Sequence, residues 1–117
     1  RSSEHEDINL LTVMPCATSK GLQLEDNQGN WHDIAVGDDY MIVKIGDMLA
    51  KATNNYFKAT THRVINNGGD SFISRLAIMF FLHPSSEVGL SDSLTAKDYL
   101  NARLADLGYE LDDDSTN

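Results

Sequence analysis

A chain of 117 residues that is 41% hydrophobic can hold one domain with a real core, and it lies far from disordered composition. Its net charge of −9, from 18 acidic against 9 basic residues, leaves no basic patch of the kind a nucleic-acid partner requires. No apolar run approaches the roughly 20 residues that a membrane helix needs.

The single Cys16 has no disulfide partner within the chain, which fits a reducing, cytoplasmic setting; it reads as a small apolar residue in or beside a strand. Because the chain opens at Arg1 without Met, it is expected to be a processed or excised piece whose targeting segment, if any, lies elsewhere.

Most of the sequence is predicted to be strand. The run Ile8-Asn9-Leu10-Leu11-Thr12-Val13-Met14 is β-prone and stops at Pro15. Gly21-Leu22-Gln23-Leu24-Glu25 alternates, residues 26–30 carry turn chemistry, and residues 31–35 return as the second arm of a hairpin. After a second turn at 36–39, residues 40–45 form a strand that Gly46-Asp47 ends, followed by one helical turn over 48–53. Residues 56–65 read as a Thr- and Val-rich strand and 66–70 as a turn. Residues 72–82 read as a strand apolar on both faces, which predicts cover on both.

The period then changes. Leu94, Asp98, Arg103 and Leu107 sit among helix formers, Ser93 or Thr95 is positioned as the N-cap, and Gly108 as the stop. Residues 112–117 are a solvated acidic end. Short strands with turns every eight to twelve residues predict a mainly β sandwich or jelly roll, with a C-terminal helix outside it. The domain division is 1–92 for the barrel, 93–109 for the helix and 110–117 for the acidic tail.

His5-Glu6-Asp7 precedes the first of these predicted strands. In an extended chain, side chains two apart face the same side, so His5 and Asp7 face one point and Glu6 faces away. A helix would separate them by roughly 200° and make a poor chelate. His62, in the predicted strand 56–65, is the candidate third ligand. Two imidazoles and one carboxylate on one side of an ion leave its other side open, which suits Fe(II) that binds oxygen and a second ligand together. The structural alternative is that His-x-Asp arises by chance and His62 is a satisfied strand residue.

Arg75 stands in the long apolar strand, on a face it shares with Ile73, Ala77, Met79 and Phe81. A buried guanidinium requires an anion. That anion is either a structural acidic partner or a carboxylate ligand held in the bidentate manner that Arg favours.

The order of motifs is His5-x-Asp7, Leu10-Leu11-Thr12, Gly21-Leu22-Gln23, Ile45-Gly46-Asp47-Met48-Leu49, Tyr56-x-Lys58-x-Thr60-x-His62-Arg63-Val64, and Arg75 ahead of Phe80-Phe81-Leu82-His83-Pro84. It resembles the isopenicillin N synthase-like family of Fe(II)/2-oxoglutarate-dependent oxygenases from His5 to about Leu107. The resemblance implies a double-stranded β-helix with His5, Asp7 and His62 as the iron ligands. It also implies Arg75 as the partner of the distal carboxylate of 2-oxoglutarate, and oxidation of a small organic substrate coupled to decarboxylation of that cosubstrate.

Three departures accompany it. The family's Arg-x-Ser is here Arg75-Leu76-Ala77, which removes a hydroxyl whose bond to a carboxylate is worth on the order of 1.5–3 kcal/mol. The family's upstream cosubstrate Tyr has no counterpart before His5, and family proteins are about twice as long or more. Lacking N-terminal elements, the chain is expected to expose an apolar face that favours self-association.

Tyr56, Ala77, Met79 and Phe81 are the candidate pocket residues; Tyr56 and Lys58 share a face with His62 if that strand is regular. Arg63 is expected to face away as an ion-pairing residue, Gly46-Asp47 to form a locally bonded turn, His32 to be exposed, and His83 to lie away from the triad. Two other functional classes fit the same residues. One is a cupin-like metal protein with non-oxidative chemistry. The other is a truncated, inactive domain.

Overall fold

The computed structural model describes residues 2–35, 37, 39–66 and 74–109. The strands are β1 (Ser2–His5), β2 (Leu11–Pro15), β3 (Leu22–Glu25), β4 (Trp31–Asp33), β5 (Met41–Ile45), β6 (His62–Val64), β7 (Phe80–Leu82), β8 (Gly89–Ser91) and β9 (Leu94–Thr95). The helices are α1 (Asp47–Ala52) and α2 (Ala96–Asp106). The strands pair antiparallel into a four-stranded sheet, β1-β6-β3-β4, a three-stranded sheet, β5-β2-β7, and a ribbon, β8-β9. The chain is mainly β with a C-terminal helix, as expected.

Register decides which residues share a face. Thr12 pairs with Lys44 on one side and Phe81 on the other, so these three point the same way across β5-β2-β7. Leu11, Val13, Ile45, Val43, Phe80 and Leu82 point the opposite way. That second face is substantially open, with Val43 59% and Phe80 66% exposed. The expectation that both faces of residues 72–82 are covered is therefore wrong for the described part: Phe80 and Leu82 on one face, and Met79 and Phe81 on the other, are exposed.

Only Phe80–Leu82 of that run is ladder-paired strand; residues 74–79 are outside any strand, and residues 72 and 73 lie outside the described residues. The physical reason is the partner. β2 ends at Pro15, which has no N–H to donate, and pairing gives way to single contacts between Thr18 and Leu76. The predicted strand 56–65 likewise shrinks to β6. Asn54 and Asn55 take positive φ values of 50° and 60°, turning the chain after α1, and residues 57–61 carry no strand. The turns at 36–39 and 66–70 lie partly, and the acidic end 112–117 wholly, outside the described residues.

A small buried cluster joins the helices to the site. Met48 of α1, Leu90 of β8 and Ala96 of α2 pack together, with Ile8, Leu10, Tyr99 and Leu100 against them. The β8-β9 ribbon was not foreseen; its Thr95 caps α2 in a capping box with Asp98, an arrangement worth about 1 kcal/mol.

Gly46-Asp47 is not a locally bonded turn. The Asp47 carboxylate accepts from the Tyr99 hydroxyl at 3.1 Å and lies 3.5 Å from Arg103 Nε, which ties α1 to α2. Burial and the neighbouring Glu6 carboxylate raise the Asp47 pKa, outweighing Tyr99 and Arg103, and burial beside Asp47 pushes Tyr99 up to about 12.

A raised carboxyl pKa means that stability present in acid is lost as pH rises through the folded-state value. Asp47→Asn, which keeps an acceptor for Tyr99, should therefore raise the urea midpoint at pH 7 relative to wild type. The gain should shrink toward pH 3. An equal effect at both pH values would contradict this account.

Candidate metal centre

β1 and β6 are neighbours, and their register pairs His5 directly with His62; the two rings lie 4.2 Å apart, centroid to centroid. Asp7 follows β1 in a segment pinned by its own backbone, since Asp47 N–H donates to the Asp7 carbonyl at 2.8 Å. His5, Asp7 and His62 each offer a ligand atom within 4.8 Å of the others.

The carboxylate is oriented. Its Oδ1 lies 3.7 Å from His5 Nε2 and 3.5 Å from His62 Nε2. Its Oδ2 accepts from Thr12 Oγ1 at 2.6 Å and from Lys44 Nζ at 2.8 Å.

Both rings are held from behind. His5 Nδ1 is 2.8 Å from the Ser3 carbonyl and His62 Nδ1 is 2.9 Å from that of Thr60. A carbonyl can only accept, so each Nδ1 carries the proton and, in the neutral ring, Nε2 presents its lone pair. Burial, with the charge of Lys44, lowers the His62 pKa despite Thr60 and Asp7, which favours the neutral, ligating form. Burial would raise the Asp7 pKa, but bonds from Lys44 and Thr12 and the charge of Lys44 outweigh it and lower it. The donor set thus fits a divalent ion of the Fe(II) type: two imidazoles, one ionised carboxylate and supporting hydrogen bonds.

Two cavities flank these donors. An inner one of about 470 Å³ is lined by His5, His62, Lys44, Arg75, Ala77 and Met79. An outer cleft of about 870 Å³ runs past His5, Asp7, Phe81 and His83. Of the sequence-predicted pocket residues, Ala77 and Met79 line the inner cavity and Phe81 the outer cleft. Tyr56 lines neither: it is 82% exposed, because residues 56–61 are not the regular strand its placement required.

His83 lines the outer cleft and is not among the converging donors. Arg75 is half-buried, not fully buried, and its Nε donates to the Ser19 carbonyl at 3.1 Å. Glu6 does face away, accepting from Thr61 at 3.0 Å. His32 is exposed and bonds Asp26 at 2.8 Å. Arg63 bonds Gln23 and stacks 3.9 Å over Trp31, a cation–π contact, and makes no ion pair among the described residues, where one was expected.

The family model "2OG-Fe(II) oxygenase superfamily" matches residues 1–84. The chain belongs to that superfamily. It is 29% identical over 115 residues to the 2-oxoglutarate-dependent dioxygenase citB of Monascus ruber, covering 87% of this chain and 34% of citB. It is 31% identical over 116 residues to isopenicillin N synthase of a Flavobacterium species, covering 88% of this chain and 34% of that enzyme. A crystal structure of a Shewanella oneidensis protein assigned as an oxygenase superposes with a TM-score of 0.84 at 43% identity, over 94% of this chain and 41% of that one. The resemblance in motif order, the iron- and 2-oxoglutarate-dependent family and the jelly-roll fold are thus established. The chain spans about a third of the length of the curated relatives it matches.

Two residues at this centre escaped the sequence reading. Thr12 of β2 and Lys44 of β5 both bond Asp7 Oδ2, and both lie outside any ligand motif. The available signal was Lys44 itself, a charge in the apolar run Met41-Ile42-Val43-Lys44-Ile45. Among the described residues no helix is long and apolar enough to cross a membrane.

Proposed function

We propose that this chain carries the metal- and cosubstrate-binding part of a non-haem Fe(II)- and 2-oxoglutarate-dependent oxygenase acting on a small organic molecule. His5, Asp7 and His62 hold the metal, and Arg75 pairs with the distal carboxylate of the cosubstrate. The observation that supports this reading is the convergence of three oriented donors, two of which, His5 and His62, line a cavity that Arg75 also lines. Bound iron would supply oxygen activation coupled to decarboxylation of the cosubstrate.

The chain's own residues do the rest. Thr12 and Lys44 hold Asp7 with Oδ1 toward the rings, and the Ser3 and Thr60 carbonyls fix the tautomers. Ala77 and Met79 give the inner cavity apolar wall. The open apolar face of β5-β2-β7 supports self-association of this chain on its own. The lone Cys16 accords with a cytoplasmic setting.

The test is anaerobic addition of Fe(II) and 2-oxoglutarate to the chain. A visible metal-to-cosubstrate charge-transfer band is expected, followed by succinate release when oxygen is admitted. Arg75→Ala should weaken 2-oxoglutarate binding roughly 10- to 150-fold, the equivalent of one charge-assisted bond. Oxygen uptake without any band or succinate would remove 2-oxoglutarate from the reading. Tightly held zinc or manganese with no oxygen chemistry would favour the cupin-like alternative.

A further inference from the structure

Lys44 is only 1% exposed, and its ammonium lies 2.8 Å from Asp7 Oδ2 and 2.6 Å from His62 Nε2. The first contact is compatible with a metal at the triad, because Asp7 turns its other oxygen, Oδ1, toward the two rings. The second is not. His62 Nδ1 is engaged with the Thr60 carbonyl, so Nε2 holds the ring's one lone pair, and that lone pair accepts the hydrogen bond from Lys44. A metal ion needs the same electrons.

We propose that Lys44 is a built-in cation competitor: its ammonium and the metal contend for His62 Nε2, so metal entry requires Lys44 to let go of His62 while keeping Asp7. This inference rests on the metal reading above and adds a residue outside the ligand triad that sets its affinity.

The strand register makes the competitor unavoidable. Lys44 pairs with Thr12, both face the interior of the two-sheet core, and both converge on Asp7 Oδ2. The buried ammonium has an anion, Asp7, so its burial is compensated without any contact to His62. Release of His62 therefore does not strand the charge. The inner cavity, which Lys44 lines together with Arg75, gives the freed ammonium room and a place to meet an anionic ligand. An apolar residue of similar length at this position would leave the His62 lone pair to the metal alone.

Lys44→Met is compared with wild type by Co(II) titration, read as visible absorption of the bound ion and by calorimetry, without 2-oxoglutarate. Thr12 still holds Asp7 Oδ2 at 2.6 Å in the variant, so the ligand keeps its orientation, and at least tenfold tighter Co(II) binding is expected from release of the His62 lone pair. Equal or weaker binding by a folded variant overturns the competition while leaving the metal reading intact. Failure of both proteins to bind Co(II) overturns both.

A second measurement uses wild type only and does not depend on the variant folding. In 15N-labelled protein, the His62 Nε2 and Lys44 Nζ resonances should show their mutual hydrogen bond, and Zn(II) should abolish it while the Lys44 signal stays protected by Asp7. Persistence of the Lys44–His62 bond at saturating Zn(II) overturns the proposal. A purely structural Lys44 would not exchange partners.

Discussion

Asp7→Ala is expected to abolish metal binding and to destabilise the fold by about 3–5 kcal/mol, the usual cost of removing one member of a buried ion pair. Two oxygens of one side chain carry these two effects separately. Oδ1 stands 3.5–3.7 Å from both imidazole Nε2 atoms and is the only anionic donor among the three that converge. Oδ2 is the anion that compensates Lys44, whose side chain is 1% exposed, and it also accepts a hydrogen bond from Thr12 Oγ1 at 2.6 Å. Alanine leaves the ammonium buried without its carboxylate and Thr12 without its acceptor.

The two effects can be separated by a double-mutant cycle. Asp7→Ala combined with Lys44→Met should recover most of the lost stability in urea denaturation, because no charge remains buried, and recover none of the Co(II) affinity. A single Asp7→Ala protein that binds Co(II) within tenfold of wild type would remove Asp7 from the ligand set. A double variant as unstable as the single one would mean the cost lies outside the Lys44 pair.

Gly46→Ala is expected to cost about 3 kcal/mol or more, lowering Tm by on the order of 10 °C, and to weaken metal binding from a position outside the ligand set. Gly46 has an extended φ of −100°, so backbone strain is not the issue. Space is. An added Cβ would collide with the Asn9 carbonyl oxygen and lie 2.7 Å from Asn9 Oδ1 and 2.8 Å from Asn9 C.

Asn9 cannot yield cheaply. It is 1% exposed and donates to the Leu11 carbonyl at 2.8 Å and to Thr12 Oγ1 at 3.1 Å. Gly46 N–H donates to the Leu10 carbonyl at 2.9 Å, and Asp47 N–H to that of Asp7, so the whole segment from Asp7 to Leu10 rests on this glycine. Moving it moves Asp7. Gly37→Ala is the control: its Cβ would meet nothing nearer than a Tyr40 ring carbon at 3.9 Å, and a change within about 0.5 kcal/mol is expected. A Gly46→Ala protein with wild-type Tm and Co(II) affinity would contradict the close-packing argument.

The strands that were legible are those whose pattern is local. β2, β3 and β5 follow from alternation and β-branched residues, and α2 from its Thr95 cap and helix-forming run. Strand propensity extends over all of 56–65 and 72–82 because it does not register whether a partner is present. The first gave way where Asn54 and Asn55 turn the chain, the second where Pro15 ends the neighbouring ladder. Tyr56 was misplaced for the same reason. The charge of Arg63 is visible in the sequence and predicts an ion pair, whereas its approach to the ring of Trp31 across the sheet is not.

By itself the sequence determined the antiparallel β class, the closing helix and the three donor types, since period-two alternation and the order of motifs are written along the chain. Only the tertiary structure decided how those side chains are held and which residues lie against them. Lys44 meets His62 and Asp7 from another sheet, across 18 and 37 positions of chain, through a register set by pairing with Thr12. Such a contact depends on which strands lie opposite one another, and side-chain periodicity within one strand carries no information about that.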